Sequence, residues 1–298
     1  MTSPAREIPP PTPNRARRLA AWLHRRPTTR LGLLLATPVG WIVLVYLGSL
    51  LILFVNAFFT RDAFSGATIY VPTLTNLARL LGDPYPGITL RTLGMAIAVT
   101  VTCALLALPI AFFMARVIPA RFRNAMVVAV IVPLWTSYLI KIYSWRLILA
   151  EEGILNDLLR PLGLEGPGFG DVAVWLVFTY LWLPYMILPV YAGIERIPNS
   201  VLEASADLGG RAGVTFRRVV LPLLLPAMVA GSIFTFSLTL GDYIAPAQVS
   251  TTIFIGNAIY SNFGAGNLPL AASLSLIPLA IVVVYLLVAR RLGAFEAL

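Results

Sequence analysis

Long uncharged, apolar stretches alternate with short polar ones along this chain. The uncharged runs are Leu31–Phe59, Thr92–Ala115, Val172–Ile194, Val219–Gly241 and Leu268–Ala289. A helix needs about 20 apolar residues to cross a hydrocarbon core of roughly 30 Å, so each run predicts one membrane span. A sixth span is interrupted. Ala125–Ile140 is uncharged but short, and Lys141 and Arg146 break its continuation to Leu149. It predicts a span whose polar residues face protein or water. The expected fold is therefore an all-α integral membrane protein with six transmembrane helices. Outer loops are expected over 60–91 and 150–171, the second with a short amphipathic helix at Gly153–Leu159. Residues 247–267 form a third outer region that re-enters the membrane edge. A seven-span alternative inserts Ile244–Tyr260 separately and moves Arg290 and Arg291 outside.

The charge distribution sets the orientation. The chain is 58% hydrophobic and only 12% charged, against about 25% charged in soluble domains. Its net charge of +9 is not a nucleic-acid footprint, because sixteen of the 22 basic residues lie on one side. They occupy the tail before the first span (Arg6 to Arg30), the loop with Arg116, Arg121 and Arg123, the loop with Arg196, Arg211, Arg217 and Arg218, and the end at Arg290 and Arg291. By the positive-inside rule these are cytoplasmic, with both termini. The chain is thus divided into a basic, Pro-rich cytoplasmic tail (1–30), a transmembrane domain (31–291) with a cytoplasmic loop at 195–221, and a cytoplasmic tail (292–298). Arg15–Arg26 reads either as a basic helix at the lipid surface or as a solvated tail that sets topology. The first apolar run has 29 residues, longer than a signal-peptide core, and is expected to remain as a span.

Hydrolytic and metal chemistry have no carriers. Lys141 is the sole lysine and lies outside any Gly-rich phosphate loop, so no Walker A sequence is present. His24 is the sole histidine and Cys103 the sole cysteine, and carboxylates do not cluster at ligand spacing. No cofactor, metal or catalytic residue is expected, and the chain does not read as an enzyme.

The segment Leu202–Pro222 is polar and glycine-broken between two spans. Ser200 and Glu203 have the spacing of a capping box. Gly209-Gly210 would end the first short helix, and a second is expected from about Val214. The order Glu203-Ala204-Ser205, Gly209, Val219, Leu221-Pro222 resembles the EAA loop of permease subunits of ATP-binding-cassette importers. Its pattern is Glu-Ala-Ala, three residues, Gly, nine residues, Ile, one residue, Leu-Pro. Here Ser205 stands at the third position and Val219 at the Ile position. The resemblance implies contact with an ATPase through Glu203, Ala204, Ser205, Asp207, Gly209 and Arg211.

Inside the apolar part, Asp242 stands out. An ionisable group within a span points to function by default. Asp242 lies 21 residues past Leu221, about 32 Å along a helix, where Pro246 is expected to end the helix. Two readings stand: it lines a path, or it is a helix-end residue in contact with water. Trp135 and Tyr138 follow Pro133, whose ring can kink the helix, and are candidates for the same path together with Tyr243. Lys141 either lines the path or snorkels to headgroups. Trp175, Trp182 and Tyr185 read as belt or packing residues.

Pro133-Leu-Trp135-Thr136, Lys141-Ile-Tyr143-Ser-Trp145, Gly153-Ile-Leu-Asn156, Leu202–Gly209 and Gly241-Asp242-Tyr243 through Ile255-Gly256-Asn257 resemble the spermidine/putrescine permease family over about residues 31–290. The resemblance implies a type I ABC importer permease fold in the bacterial inner membrane. It also implies a second permease subunit, a cytoplasmic ATPase dimer and an external solute-binding protein. The implied cargo is a small solute, a polyamine-like cation first, with opines or phosphonates as other members' cargo. An ion-coupled secondary transporter is the rival class; it needs a coupling-ion site, and Asp242 has no evident partner in the sequence.

In a Cys103→Ser background, a membrane-impermeant maleimide should label Ser205→Cys only from the cytoplasm and Asp157→Cys only from outside. The opposite pattern overturns the orientation.

Overall fold

The computed structural model describes residues 27–293 except residue 63. The expected interfacial helix at Arg15–Arg26 lies outside the described residues, as do most of the tails expected over 1–30 and 292–298. Pro27–Arg30, within the first of these tails, is already helical.

The chain divides into two units after Val55. The first holds α1 (Pro27–Trp41), a π-helical stretch (Ile42–Leu47) and α2 (Gly48–Asn56). Together they supply the apolar span Leu34–Asn56. Pro38 stands four residues before the π-helical stretch. A proline inside a helix removes an N–H and displaces the carbonyl one turn back.

In the second unit the chain first makes a small hairpin, β1 (Thr60–Arg61) antiparallel to β2 (Thr68–Ile69). This departs from the all-α expectation, and Asp62 is the reason. Its Oδ1 accepts the backbone N–H groups of Phe64 and Ser65 at 2.9 and 2.7 Å and the Ser65 hydroxyl at 3.0 Å. Gly66 supplies the left-handed residue, at φ +70°. The Ser65 N–H, then the Ser65 hydroxyl and the Phe64 N–H, hold the Asp62 carboxyl below its ordinary range. A short α3 (Thr75–Arg79) follows.

α4 (Tyr85–Phe112) runs on through a π-helical stretch to form one long helix, Tyr85–Val117. The sixth expected span is not one rod. α5 (Ala120–Trp135) and α6 (Tyr138–Leu149) are bent by 89° about Thr136 and Ser137. Those two residues have extended backbone, so the break falls just past Pro133 rather than as a kink at it. Among the described residues five helices are long and apolar enough to cross a membrane, and this pair makes a sixth only if taken together. α7 (Ile154–Leu159) sits in the expected outer loop. Asn156 shapes that loop, with Nδ2 donating to the Ala150 and Glu151 carbonyls and Oδ1 accepting the Gly166 N–H.

α8 (Asp171–Glu195) leads to α9 (Asn199–Asp207) and α10 (Ala212–Thr215). α10 passes through a π-helical stretch into α11 (Leu221–Gly241), so the expected second short helix is the start of one span, Ala212–Gly241. α12 (Ile244–Val249), α13 (Ile255–Gly264) and α14 (Leu268–Arg291) complete the described chain. At 1.5 Å per residue α12 and α13 are too short to cross about 30 Å, so the seven-span alternative has no helix to carry it. Pro246 lies inside α12; the preceding helix has already stopped at Gly241.

α4, α8 and α11 form the centre. α4 presents Ala96, Val99, Cys103, Ala107 and Ala111, each wholly buried, at spacings of three or four residues. This stripe of small side chains lets α8 approach and bury Val174, Val177, Phe178, Leu181, Met186 and Val190. Between helices in lipid, close packing rather than water exclusion is the attraction. α8 and α11 approach closely at two glycines. A Cβ on Gly193 would stand 2.8 Å from the Ala227 Cβ, and one on Gly231 would stand 2.9 Å from the Met186 Sδ.

Gly193→Ala should lower the stability of the detergent-solubilised protein by about 1–3 kcal/mol, the usual cost of overpacking. Gly94, with nothing within 4 Å of its would-be Cβ, is the control. Gly94→Ala should leave the unfolding midpoint unchanged or raise it.

Candidate functional site

The polar loop is a helix, a sharp reversal and a second helix. α9 begins at Asn199 with Pro198 as its N-cap and no side-chain cap bond. The capping box expected from Ser200 and Glu203 is therefore not formed. Pro198 and Asn199 start the helix first, which places Ser200 inside it. The end of α9 agrees with the sequence. The Gly209 N–H donates to the Ala206 carbonyl and the Gly210 N–H to the Ser205 carbonyl, both at 2.8 Å. With Gly209 at φ +79° this is a Schellman motif, which satisfies the last helix carbonyls. Gly210 is constrained as well: a Cβ there would lie 2.6 Å from the Ser205 carbonyl oxygen. Ser205 Oγ and Thr215 Oγ1, 2.8 Å apart, close the reversal.

This geometry sorts the loop residues into two faces. Val201 and Leu202 pack against the central core, and Ser205 is half-buried facing α10. Glu203, Ala204, Asp207, Gly209 and Arg211 are exposed. Leu208 is 90% exposed beside them, an apolar knob absent from the sequence-based candidates. A cleft of about 340 Å³ opens between the two limbs, lined by Ala204, Leu208, Val214 and Arg218 among others. Arg116, read from sequence only as a topology charge, braces the start of α9. It bonds the carbonyls of Ile194 and Ile197 and the Asn199 Oδ1.

The second cluster lies where helices are interrupted. Asp242 follows the last residue of α11. Its Oδ1 accepts the Ile244 and Ala245 N–H groups at 2.8 and 3.1 Å, capping α12. Its Oδ2 accepts the Tyr138 hydroxyl from the first turn of α6. The carboxylate thus joins the break between α5 and α6 to the break between α11 and α12, and it is half-buried. α13 abuts the same point. A Cβ on Gly256 would come 2.8 Å from the Asp242 carbonyl oxygen, so only glycine permits this approach. Asn257 Nδ2 donates to the Tyr243 carbonyl, and Thr92 Oγ1 on α4 accepts the Ile255 N–H.

Aromatic rings surround this joint. Tyr138 stacks on Trp182 at 6.2 Å between centroids, and Tyr243 on Tyr260 at 4.3 Å. Trp182 is buried, and its indole N–H is one of four buried polar side-chain atoms without a hydrogen-bond partner among the described residues. Trp175 bonds Thr102 and Tyr185 stacks on Phe234, so all three aromatics of α8 singled out in the sequence serve packing. Trp135 is set apart: it ends α5 on the far side of the break and is 86% exposed. Lys141 turns back to donate to the Pro133 carbonyl at 3.2 Å, capping the end of α5. Arg146 donates to Gln248 Oε1 on α12 at 2.6 Å. The Tyr138–Asp242 and Arg146–Gln248 pairings join residues about a hundred positions apart, and these partners were not legible in one sequence.

Residues 107–295 match the family model described as binding-protein-dependent transport system inner membrane component. The chain is 45% identical over 298 residues to the inner membrane ABC transporter permease protein YdcU of Escherichia coli K12, covering 94% of this chain and 95% of that protein. It is 36% identical over 236 residues to the spermidine/putrescine transport system permease protein PotB of Salmonella typhimurium, covering 77% of this chain and 81% of that one. Among solved structures it superposes on a chain of a bacterial ABC transporter involved in the import of the acidic polysaccharide alginate. There the TM-score is 0.69 and the identity 16%, over 93% of this chain and 98% of the other. A chain of the MetNI methionine ABC transporter, in an inward-facing conformation, gives a TM-score of 0.56 at 16% identity, over 73% and 99% of the two chains. At such low identity these structures establish the fold alone.

Gly210→Val should leave membrane insertion intact but open the reversal, because its side chain has no room against Ser205. Trypsin cleavage after Arg211 in the solubilised protein should rise about tenfold, corresponding to about 1.4 kcal/mol of lost local stability. Cleavage at the parental rate shows that the reversal does not depend on this contact.

Proposed function

The chain belongs to the inner-membrane components of binding-protein-dependent transport systems, a family of multi-pass permeases, and on that premise we propose that it is one half of the translocation path of a polyamine importer. The observation that carries the coupling role is the exposed face of α9, held rigid by the Schellman turn and by Arg116. Glu203, Ala204, Asp207, Gly209 and Arg211 present charge and backbone to the cytoplasm on an element that cannot deform independently. Ser205 supports that face from within. A cytoplasmic ATPase dimer docks there, and its closure is transmitted to the spans. A second permease subunit supplies the other half of the path, and an external solute-binding protein delivers the cargo. ATP hydrolysis belongs to the ATPase subunits. Both termini lie in the cytoplasm, and α5 with α6 serves as the sixth span.

The cargo assignment follows the relatives whose names give spermidine and putrescine. The joint around Asp242 suits such a cargo. A polyamine shedding water needs anionic acceptors and aromatic faces, and each face offers about 0.5–2 kcal/mol to an ammonium group. Asp242 offers its remaining lone pairs, Tyr138 and Tyr243 line the joint, and exposed Trp135 stands at the approach from α5. Lys141 does not oppose a cationic cargo, because its ammonium is directed to the end of α5.

The complex co-purified with its ATPase and reconstituted in liposomes should take up radiolabelled putrescine only with ATP and the solute-binding protein. Asp242→Asn should lower that uptake about tenfold, the equivalent of about 1.4 kcal/mol, while basal ATP hydrolysis persists. Uptake driven by a proton or sodium gradient without ATP would establish the secondary-transporter reading instead. Unchanged uptake by Asp242→Asn removes Asp242 from the path.

A further inference from the structure

α9 is joined covalently to α8 by Arg196–Pro198 and to α11 through the glycine turn and α10. α4 has no such connection, yet its cytoplasmic end is fastened to α9 by one side chain. Arg116 lies in the π-helical stretch that ends this helix. Its Nη2 donates to the Ile194 carbonyl at 2.8 Å and the Ile197 carbonyl at 2.5 Å, and its Nη1 to the Asn199 Oδ1 at 2.6 Å. Ile194 and Ile197 belong to the last turn of α8 and the link beyond it, where the helix dipole favours a cation; the Ile194 carbonyl also accepts the Ile197 N–H at 3.2 Å. Asn199 is the first residue of α9. The planar guanidinium reaches all three acceptors at once, which the point charge of a lysine does not.

We propose that Arg116 is a positioning residue for energy coupling: it makes α4 follow α9 when the ATPase moves α9. This deepens the reading given under Proposed function and rests on it. Without the fork, force on α9 reaches α8 and α11 through the chain, and α4 receives it only through apolar packing. α4 carries Thr92, whose hydroxyl accepts the Ile255 N–H beside the Asp242 joint. A displacement of α4 therefore arrives at the opposite end of the bundle, where α13 meets Asp242.

The test uses the full complex with its ATPase subunits. Leu90→Cys, on the outer end of α4 and 71% exposed, is placed in a Cys103→Ser background, and its maleimide labelling rate is compared without nucleotide and after trapping with ATP and vanadate. Trapping should change the rate about fivefold, the low end of typical coupling between sites. Adding Arg116→Gln should abolish that change while vanadate still traps nucleotide, and Asn199→Ala should reduce it partially. A change of the same size in Arg116→Gln overturns the proposal, as does the absence of any change with Arg116 intact. If Arg116→Gln does not assemble, Arg116→Lys is read in its place: it keeps the charge and loses the fork, and full coupling in it overturns the proposal. Failure of all these variants to assemble also overturns it, because Arg116 is then a folding element. A parental complex that traps no nucleotide instead contradicts the reading as an ATP-driven permease.

Discussion

A helix that breaks inside a membrane exposes N–H and C=O groups where no water can take them, and this architecture rests on sealing those ends from within the protein. Among the described residues, helices are interrupted at Thr136–Ser137 and at Asp242–Tyr243. One carboxylate serves both, since Asp242 caps α12 with one oxygen and holds α6 by Tyr138 with the other. Lys141 closes the open end of α5, Asn257 takes the Tyr243 carbonyl, and Thr92 takes the first N–H of α13. Remove this set of caps and the ends of α5, α6, α12 and α13 are left with unpaired backbone groups. The small-residue stripe on α4 and the two glycine contacts between α8 and α11 then give the remaining spans a stiff frame against which the broken pairs are mounted.

The polar loop around α9 solves the opposite problem. Its polar groups have water available, so nothing compels order, and order is imposed by local geometry instead. The Schellman turn at Gly209 and Gly210, the Ser205–Thr215 bridge and the three bonds of Arg116 fix α9 at both ends. Its charged side chains can then stay outward without collapsing onto the membrane surface. The permease family to which the chain belongs works with separate partners, and an ordered polar surface suits that division of labour.

Much of this was legible in the sequence, and the remainder was hidden for identifiable reasons. The apolar runs gave five spans because length and lack of charge suffice for that inference. The spacing from Glu203 to Pro222 marked the loop and its turn, since a left-handed residue there calls for glycine. Periodicity could not show that the sixth span is two helices at 89°: Pro133 announces irregularity but not its angle. The capping box at Ser200 failed because Pro198 takes the N-cap position two residues earlier, a competition between two valid local signals. Arg116 was counted among topology charges because two of its three acceptors are backbone carbonyls, which no residue type reveals. The sequence also offered no hint that Asp242 pairs with Tyr138, which lies 104 positions away.

That separation bears on how the protein is made. A membrane protein is synthesised from its N-terminus, and early segments enter the bilayer while later ones are still untranslated. When α5 and α6 emerge, the Asp242 that secures their joint lies about a hundred residues ahead, and Thr92 waits longer still for Ile255, 163 positions on. The α5–α6 break therefore meets lipid or the insertion machinery before its permanent partner exists. A chain halted between Leu149 and Asp242 would hold every apolar segment of its first half and still lack the means to close it. Here the completeness of the bundle is decided by the last aspartate to be synthesised.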